Sequence, residues 1–132
     1  MTDRDRPVRP SELAHTFSIV ARDLQSGEMG VAVQSHWFSV GSVVTWAQAG
    51  IGAVATQAMV EVSYGPLGLD LMRGGRTAPQ ALKALLTADE GRALRQVAMV
   101  DTSGQIAAHT GERCIADAGH IMGADFSTQA NM

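Results

Sequence analysis

The sequence is poor in cysteine, lysine and aromatic residues. Its one cysteine, Cys114, excludes an internal disulfide framework and is compatible with a reducing compartment. Only one of its ten basic residues is a lysine, Lys83, so any mechanism that requires a lysine has a single candidate. Basic residues are also outnumbered by 13 acidic ones. The resulting formal charge of −3 argues against a nucleic-acid or anionic-membrane surface.

Long hydrophobic runs are absent as well. Residues 1–14 lack the apolar core of a secretory signal, so we expect a cytoplasmic protein. No charged residue occurs between Met29 and Val60, but polar side chains interrupt this stretch and exclude a membrane span. The sequence contains no nucleotide, haem or flavin motif, and no cofactor is expected.

What the chain does contain is enough apolar material for one folded domain. It has 132 residues, of which 45% are hydrophobic and 17% charged. Residues 1–14 combine charges of both signs with two prolines and little to bury, which is typical of a flexible tail. We therefore place the domain at residues 15–132.

Periodicity predicts a mixed α and β order along this domain. Alternating side chains from Phe17 to Arg22, turn-forming residues at 23–28 and an apolar segment at 29–35 predict a β-hairpin. The charge-free strands that follow are expected to be covered on both faces. The further predicted elements are strands at 43–49 and 52–57, a helix around Pro66 that stops at Gly74, a helix that begins with a capping box from Thr77 to Gln80, and strands at 94–100, 105–109 and 126–128.

Several short segments together resemble a bacterial family known as domain of unknown function 1028. The segments that carry the resemblance include 16–23, 30–36, 49–57, 63–66, 108–111 and 114–120. The resemblance covers nearly all of residues 15–132. It implies an α+β fold like that of N-terminal-nucleophile hydrolases, an αββα four-layer sandwich with antiparallel sheets. Since the family's domain normally continues beyond the equivalent of Asn131, the resemblance also implies that this chain covers only the N-terminal part.

The resemblance implies an amide hydrolase with Thr16 as the nucleophile. Relatives commonly begin close to the equivalent of Thr16, whereas here it follows 15 residues, so cleavage after His15 would be needed. A threonine hydroxyl needs a nearby base, and a free α-amine, with a pKa of about 7.7–8.0, can serve as one. Asp23 and His36, which bracket the second strand of the hairpin, are the candidate assisting residues.

Each of these assignments has a structural alternative. Thr16 could simply open a strand, Asp23 could form a turn, and His36 could end a strand. Thr2 is a weaker competitor for the nucleophile, and Lys83 falls on a predicted amphipathic helix, where a surface position is expected.

Other residues could contribute to binding. Gly50 and Gly52 could donate backbone N–H groups to an oxyanion, and Trp37 and Trp46 could wall a pocket. The competing functions are a catalytically inactive binding or assembly module and a metal-binding protein that uses His109, Cys114 and His120, with zinc as the metal that such ligands suit.

The expected partners follow from these readings. The substrate would be a small-molecule or peptide amide. Charge-free sheet faces and a missing second half predict a homo-oligomer or association with a chain that supplies the C-terminal half.

Overall fold

The computed structural model describes residues 15–131, so the predicted tail, Thr2 and Met132 lie outside the described residues. Within that range the chain forms eight strands, three α-helices and one short 3-10 helix, Arg92–Leu94. The strands are β1 (Thr16–Arg22), β2 (Met29–Ser35), β3 (Thr45–Gln48), β4 (Gly52–Ala58), β5 (Arg95–Asp101), β6 (Ile106–Thr110), β7 (Gly119–Met122) and β8 (Phe126–Asn131), and the helices are α1 (Gly41–Val44), α2 (Tyr64–Arg73) and α3 (Ala78–Ala88).

The strands build two antiparallel four-stranded sheets. The first sheet has the order β2-β1-β8-β7, and the second has the order β3-β4-β5-β6. The predicted hairpin is the β1–β2 pair, in which Thr16 lies opposite Ser35. The mixed α+β class and the antiparallel pairing are therefore confirmed.

The two central strands of the second sheet, β4 and β5, are buried on both faces. Val54 and Met99 point to one side, where they share a core cluster with Leu69 of α2 and Leu82 of α3. Their strand neighbours point to the other side, and Ala55 there shares a second cluster with residues of the first sheet. This arrangement confirms, for β4, the expectation that a charge-free strand is covered on both faces. The expectation is wrong for β3, an edge strand in which Ala47 and Gln48 are exposed.

The first sheet buries only its inner face. Along β1, Ser18 and Val20 are buried, whereas Phe17 is 43% and Ile19 is 36% exposed. The buried polar residue is satisfied because Ser18 Oγ donates a 2.7 Å hydrogen bond to Oε1 of Gln129 in β8. The more apolar side of β1 therefore faces outward, on a surface that no helix of residues 15–131 covers.

The two longer helices begin and end as the sequence indicates. Pro66 lies in the first turn of α2, which ends before Gly74. Thr77 caps α3 through the reciprocal bonds of a capping box with Gln80.

Two predictions about strands need correction. The strand predicted at 43–49 begins only at Thr45, because 41–44 form a helical turn closed by bonds such as Thr45 Oγ1 to the Gly41 carbonyl. The strand β7 was not predicted, because it is only four residues long and its side chains are mostly exposed, so it shows no apolar alternation.

Within residues 15–131, every helix is too short or too polar to traverse a bilayer.

Candidate functional site

Thr16 lies at the first position of β1, between a strand on either side. Its neighbours across the sheet are Ser35 of β2 and Asn131 of β8. The Thr16 hydroxyl is 2.9 Å from Ser35 Oγ, which in turn accepts a 3.0 Å hydrogen bond from the Trp37 N–H. Because Thr16 is only 7% exposed, this network fixes a hydroxyl that is almost fully buried.

A cavity of about 410 Å³ opens beside this hydroxyl. Most of its wall is apolar, and the polar exceptions are Thr16, Gln57 and Asn131. Three residues at its rim are exposed, namely Trp37, Met59 and Val62. The remaining lining residues are Val40, Val43, Val44, Ala58 and Val60. A mostly apolar cavity with a few polar groups is typical of a small-molecule site.

A relay of two side-chain amides fixes the orientation of Gln57. The Nε2 group of Gln96 lies 2.9 Å from the Gly119 carbonyl and 3.0 Å from the Ala130 carbonyl, and carbonyls only accept hydrogen bonds. Oε1 of Gln96 must then be the atom that faces Gln57, and it accepts a 2.7 Å bond from Gln57 Nε2. Gln57 Oε1 is therefore left as an acceptor.

Three buried polar atoms in this region have no hydrogen-bond partner among the described residues. They are His15 Nδ1, Gln57 Oε1 and Asn131 Nδ2. Gln57 is 1% and Asn131 5% exposed, so water does not readily compensate them. Buried polar groups are usually paired, and unpaired groups that line a cavity indicate a place where a ligand can bind.

The backbone next to Gln57 is also unusual. Ala58 has φ +68°, a left-handed conformation that costs a residue with a Cβ about 1–2 kcal/mol. Arg95 holds the following segment in place, because its guanidinium donates a 2.8 Å hydrogen bond to the Met59 carbonyl. Such strain, held by surrounding contacts, is often found at binding and catalytic sites.

Asp89 anchors that arginine. Arg95 Nε donates to Asp89 Oδ2 at 2.8 Å, and this contact lowers the pKa of Asp89 to about 2 despite an opposing effect of burial. The pKa of Arg95 is raised by the same hydrogen bond. Both groups are therefore ionised at neutral pH, and this ion pair holds the backbone at Met59, which is part of the cavity wall, in place.

The structure does not bring Asp23 together with Thr16. Asp23 follows the opposite end of β1 and forms the hairpin turn, where it accepts bonds from the backbone N–H groups of Ser26 and Gln25. These hydrogen bonds lower the pKa of Asp23, and the bond from Ser26 has the largest effect.

His36 does lie beside the start of β1, because its backbone N–H donates to the His15 carbonyl at 3.4 Å. Its side chain is exposed. The contribution of His36 to this region is therefore a main-chain hydrogen bond to the residue that precedes Thr16.

The other singled-out residues are spread over the molecule. Lys83 is exposed on α3 and lines a different surface groove. The turn that contains Gly50 and Gly52 lies at the opposite end of β4 from Gln57. Of the two tryptophans, Trp37 lines the cavity, whereas Trp46 packs in the core against Gly65, where an added Cβ would collide with the indole ring.

The three candidate metal ligands each have separate contacts. His109 Nε2 lies 2.8 Å from the Arg92 carbonyl, and His120 Nδ1 lies 2.8 Å from Thr110 Oγ1. Cys114 donates to the Arg95 carbonyl, and burial raises its thiol pKa. Across residues 15–131, no three His, Cys, Asp or Glu side chains are arranged to hold a metal ion.

Sequence reasoning did not identify Ser35, Gln57, Asn131 or Ala58 as site residues. Ser35 could have been found by pairing the two seven-residue strands of the hairpin across their turn. The approach of Gln57 and Asn131 depends on the order of strands in two sheets, for which the sequence carries no local signal.

Comparison with known proteins identifies a family that this chain matches. A model described as "Family of unknown function (DUF1028)" matches residues 16–132. The crystal structure of protein SPO2555 from Silicibacter pomeroyi, which bears the same family designation, is 32% identical and superposes with a TM-score of 0.85. The match covers 89% of this chain and 55% of that one, so this chain spans about half the length of that relative. No curated protein matches the chain.

Proposed function

The chain belongs to the DUF1028 family of unknown function, and we propose that it is an amide hydrolase that uses Thr16 as an N-terminal nucleophile. The observation that carries the proposal is the position of the Thr16 hydroxyl, which is buried, held by Ser35 and placed at the wall of an apolar cavity. The proposal includes the finer fold, an N-terminal-nucleophile αββα sandwich, to which the two sheets and the α2–α3 layer would contribute three of four layers.

The proposed reaction begins with hydrolysis of the His15–Thr16 peptide bond. This step consumes one water and gives a carboxylate on His15 and a free amine on Thr16. The family match begins at Thr16, which is the residue that this cleavage would expose. The His36 N–H donates to the carbonyl oxygen of that same bond, where negative charge would develop.

The freed amine then serves as the general base. With a pKa of about 7.7–8.0, a usable fraction is neutral at pH 7 and takes the hydroxyl proton. Thr16 Oγ1 forms an ester bond to the substrate carbonyl carbon, and the substrate nitrogen leaves as an amine after it receives that proton. Water then hydrolyses the ester, which releases the acid and restores the hydroxyl. Asp23 has a turn-forming role in this scheme, since it lies at the far end of β1.

Intact-mass spectrometry and a β-lactone probe test the proposal. We expect the purified protein to have lost residues 1–15 and Thr16 to open the lactone ring, with labelling faster as pH rises through the amine's pKa. Thr16→Ala should keep residues 1–15 and lower labelling by about a thousandfold or more, whereas Thr16→Ser should retain both steps.

The competing function is a binding module without catalysis. It is favoured by the distribution of Asp23 and Lys83, neither of which lines the cavity at Thr16. Equal labelling of wild type and Thr16→Ala, or full activity in a chain that retains residues 1–15, would exclude Thr16 as the nucleophile. A wild-type protein that retains residues 1–15 and is not labelled would leave the binding module.

A further inference from the structure

Two buried side-chain amides at the cavity have unpaired hydrogen-bonding atoms of opposite type, one an acceptor and the other a donor. Gln57 Oε1 lacks a donor and Asn131 Nδ2 lacks an acceptor among the described residues. Both side chains line the cavity, and both are at least nine-tenths buried. A buried polar atom without a partner costs about 1–3 kcal/mol, so a ligand that pairs both atoms gains affinity from each.

Gln57 cannot exchange its acceptor for a donor. Its Nε2 group is committed to Gln96, and Gln96 is committed in turn to two backbone carbonyls and to Thr110. A flip of the Gln57 amide would place two acceptors face to face. A ligand at this position must therefore present an N–H or O–H group.

Asn131 supplies the opposite group. It lies directly across the sheet from Thr16, so its Nδ2 donor is close to the strand end where the substrate carbonyl would be attacked. An acceptor facing Asn131 and a donor facing Gln57 are together the two polar groups of a carboxamide that bears an N–H.

The rest of the cavity fits an apolar substituent. Trp37, Met59 and Val62 are 68%, 61% and 40% exposed, respectively, an unusual degree of exposure for large apolar side chains around one opening. No Asp, Glu, Lys or Arg lines the cavity within the described residues, so a charged substituent would lack a counter-charge.

We infer that this cavity selects carboxamides that carry an N–H and an apolar acyl chain, with Gln57 accepting the N–H and Asn131 donating to the carbonyl. The inference rests on the proposed hydrolase function for the fate of the amide, but the recognition itself needs no chemistry at Thr16. An ester, which has no N–H, would place a second acceptor against Gln57 Oε1, and a site built around a buried polar group rejects such analogues.

Binding to the full-length Thr16→Ala variant separates recognition from catalysis. The probes are N-benzylhexanamide, its N-methyl derivative and benzyl hexanoate, measured by NMR titration. We expect the first amide to bind about tenfold or more tightly than either of the other two, which both lack the N–H.

Two further substitutions, each added to Thr16→Ala, distinguish the roles of Gln57 and Asn131. Gln57→Met should remove the preference for the N–H, whereas Asn131→Ala should weaken amide and ester alike, since both contain a carbonyl. Gln105→Met, at an exposed position in the β5–β6 turn, is the matched control and should change neither. If Gln57→Met fails to fold, the N-methyl probe and Asn131→Ala still decide the outcome.

Equal binding of amide, N-methyl amide and ester would overturn the inference even if Thr16 reacts with the lactone. The same holds if no probe binds and the two side chains merely enclose water. Selective amide binding in a protein that never loses residues 1–15 would support this recognition and reject the proposed nucleophile, so the two failures are distinguishable.

Discussion

The backbone at Ala58 combines an alanine with a conformation that favours glycine. Its φ of +68° crowds the Cβ against the neighbouring carbonyl. Ala58 lies between Gln57 and Met59, and both of these residues line the cavity. The strained conformation therefore helps to set the course of the backbone along this wall. A glycine would adopt the same backbone without that penalty.

We expect Ala58→Gly to stabilise the protein by about 0.5–1 kcal/mol, because relief of the left-handed strain exceeds the added entropy of the unfolded chain. The matched control is Ala55→Gly on the same strand, where the alanine is fully buried. The control should destabilise by about 1–2 kcal/mol through loss of a buried methyl group and added chain entropy. Urea denaturation measures both, and a loss of stability in Ala58→Gly similar to that of the control would contradict the role of strain.

At the residue scale, the sequence predicted the nucleophile candidate but not its surroundings. Thr16 was found through a resemblance, whereas Gln57 and Asn131 look like ordinary polar residues on strands. Their significance depends on which hydrogen bonds remain unmade after folding, and this is a property of the assembled sheets. Asp23 shows the opposite case. It is close to Thr16 in sequence but distant in space, because the whole of β1 extends between the two residues.

At the scale of elements, one carboxylate joins α3 to the β5–β6 turn. Asp101 accepts a 2.7 Å hydrogen bond from the Ala78 N–H at the start of α3, and others from Ser103 and Gln105. Burial alone would raise the pKa of Asp101, but these bonds outweigh it and hold the pKa below its usual value. The ionised form is therefore the one that stabilises the fold.

The consequence is a loss of stability in acid. Because the folded-state pKa of Asp101 is lowered, its contribution is complete above the unfolded-state pKa of about 3.9 and is lost as pH falls through the folded-state value. We expect Asp101→Asn to lower the free energy of unfolding by about 1–3 kcal/mol at pH 7. The difference from wild type should shrink below about pH 4.

Thermal or urea unfolding at a series of pH values measures this difference. Asp117→Asn, at an exposed position, serves as the control. A constant difference between wild type and Asp101→Asn over the whole acid range would show that the charge of Asp101 does not matter.

Among the elements, the two longer helices, α2 and α3, were the most predictable. Capping signals such as Thr77 to Gln80 act within one turn and can be read locally. The helical turn at 41–44 was missed because its two valines favour strands, and its conformation depends on the burial of Val44 between the sheets.

For the molecule as a whole, the outer face of the first sheet is an apolar surface that no helix of residues 15–131 covers. It contains a concavity of about 700 Å³, in which Asp117 is the one acidic residue among the described lining residues and no lysine or arginine occurs. Phe17, Ile19 and Ile121 are exposed there. The fourth layer of the proposed sandwich would cover this face. For this chain by itself we propose a second copy as the occupant, because a nearly neutral face offers nothing to a charged partner but is complementary to itself.

Sedimentation over a concentration series tests this assembly. We expect wild type to form dimers and Ile121→Lys, at a residue that is 71% exposed, to remain monomeric because the interface cannot bury an unpaired charge. Leu67→Lys, on the exposed side of α2, should leave the dimer intact. A well-folded wild-type monomer at every concentration would contradict self-association through this face.

The order of strands is the part of the fold that the sequence could least predict. Neighbours such as β1 and β2 follow from a short turn, but β1 also pairs with β8, and nothing local in either strand specifies that partner. The mixture of strands and helices followed from the element order, whereas the antiparallel sheets were expected from the family resemblance.

The pairing of β1 with β8 also determines when the site can form. The Ser18–Gln129 hydrogen bond joins residues 111 positions apart, so one side of the cavity is synthesised long after the β1–β2 hairpin. While the ribosome still holds β8 in its exit tunnel, the β1–β2 hairpin can form but Asn131 is missing beside Thr16. Maturation at Thr16, if it needs the completed cavity, therefore follows the emergence of β8 and its pairing with β1.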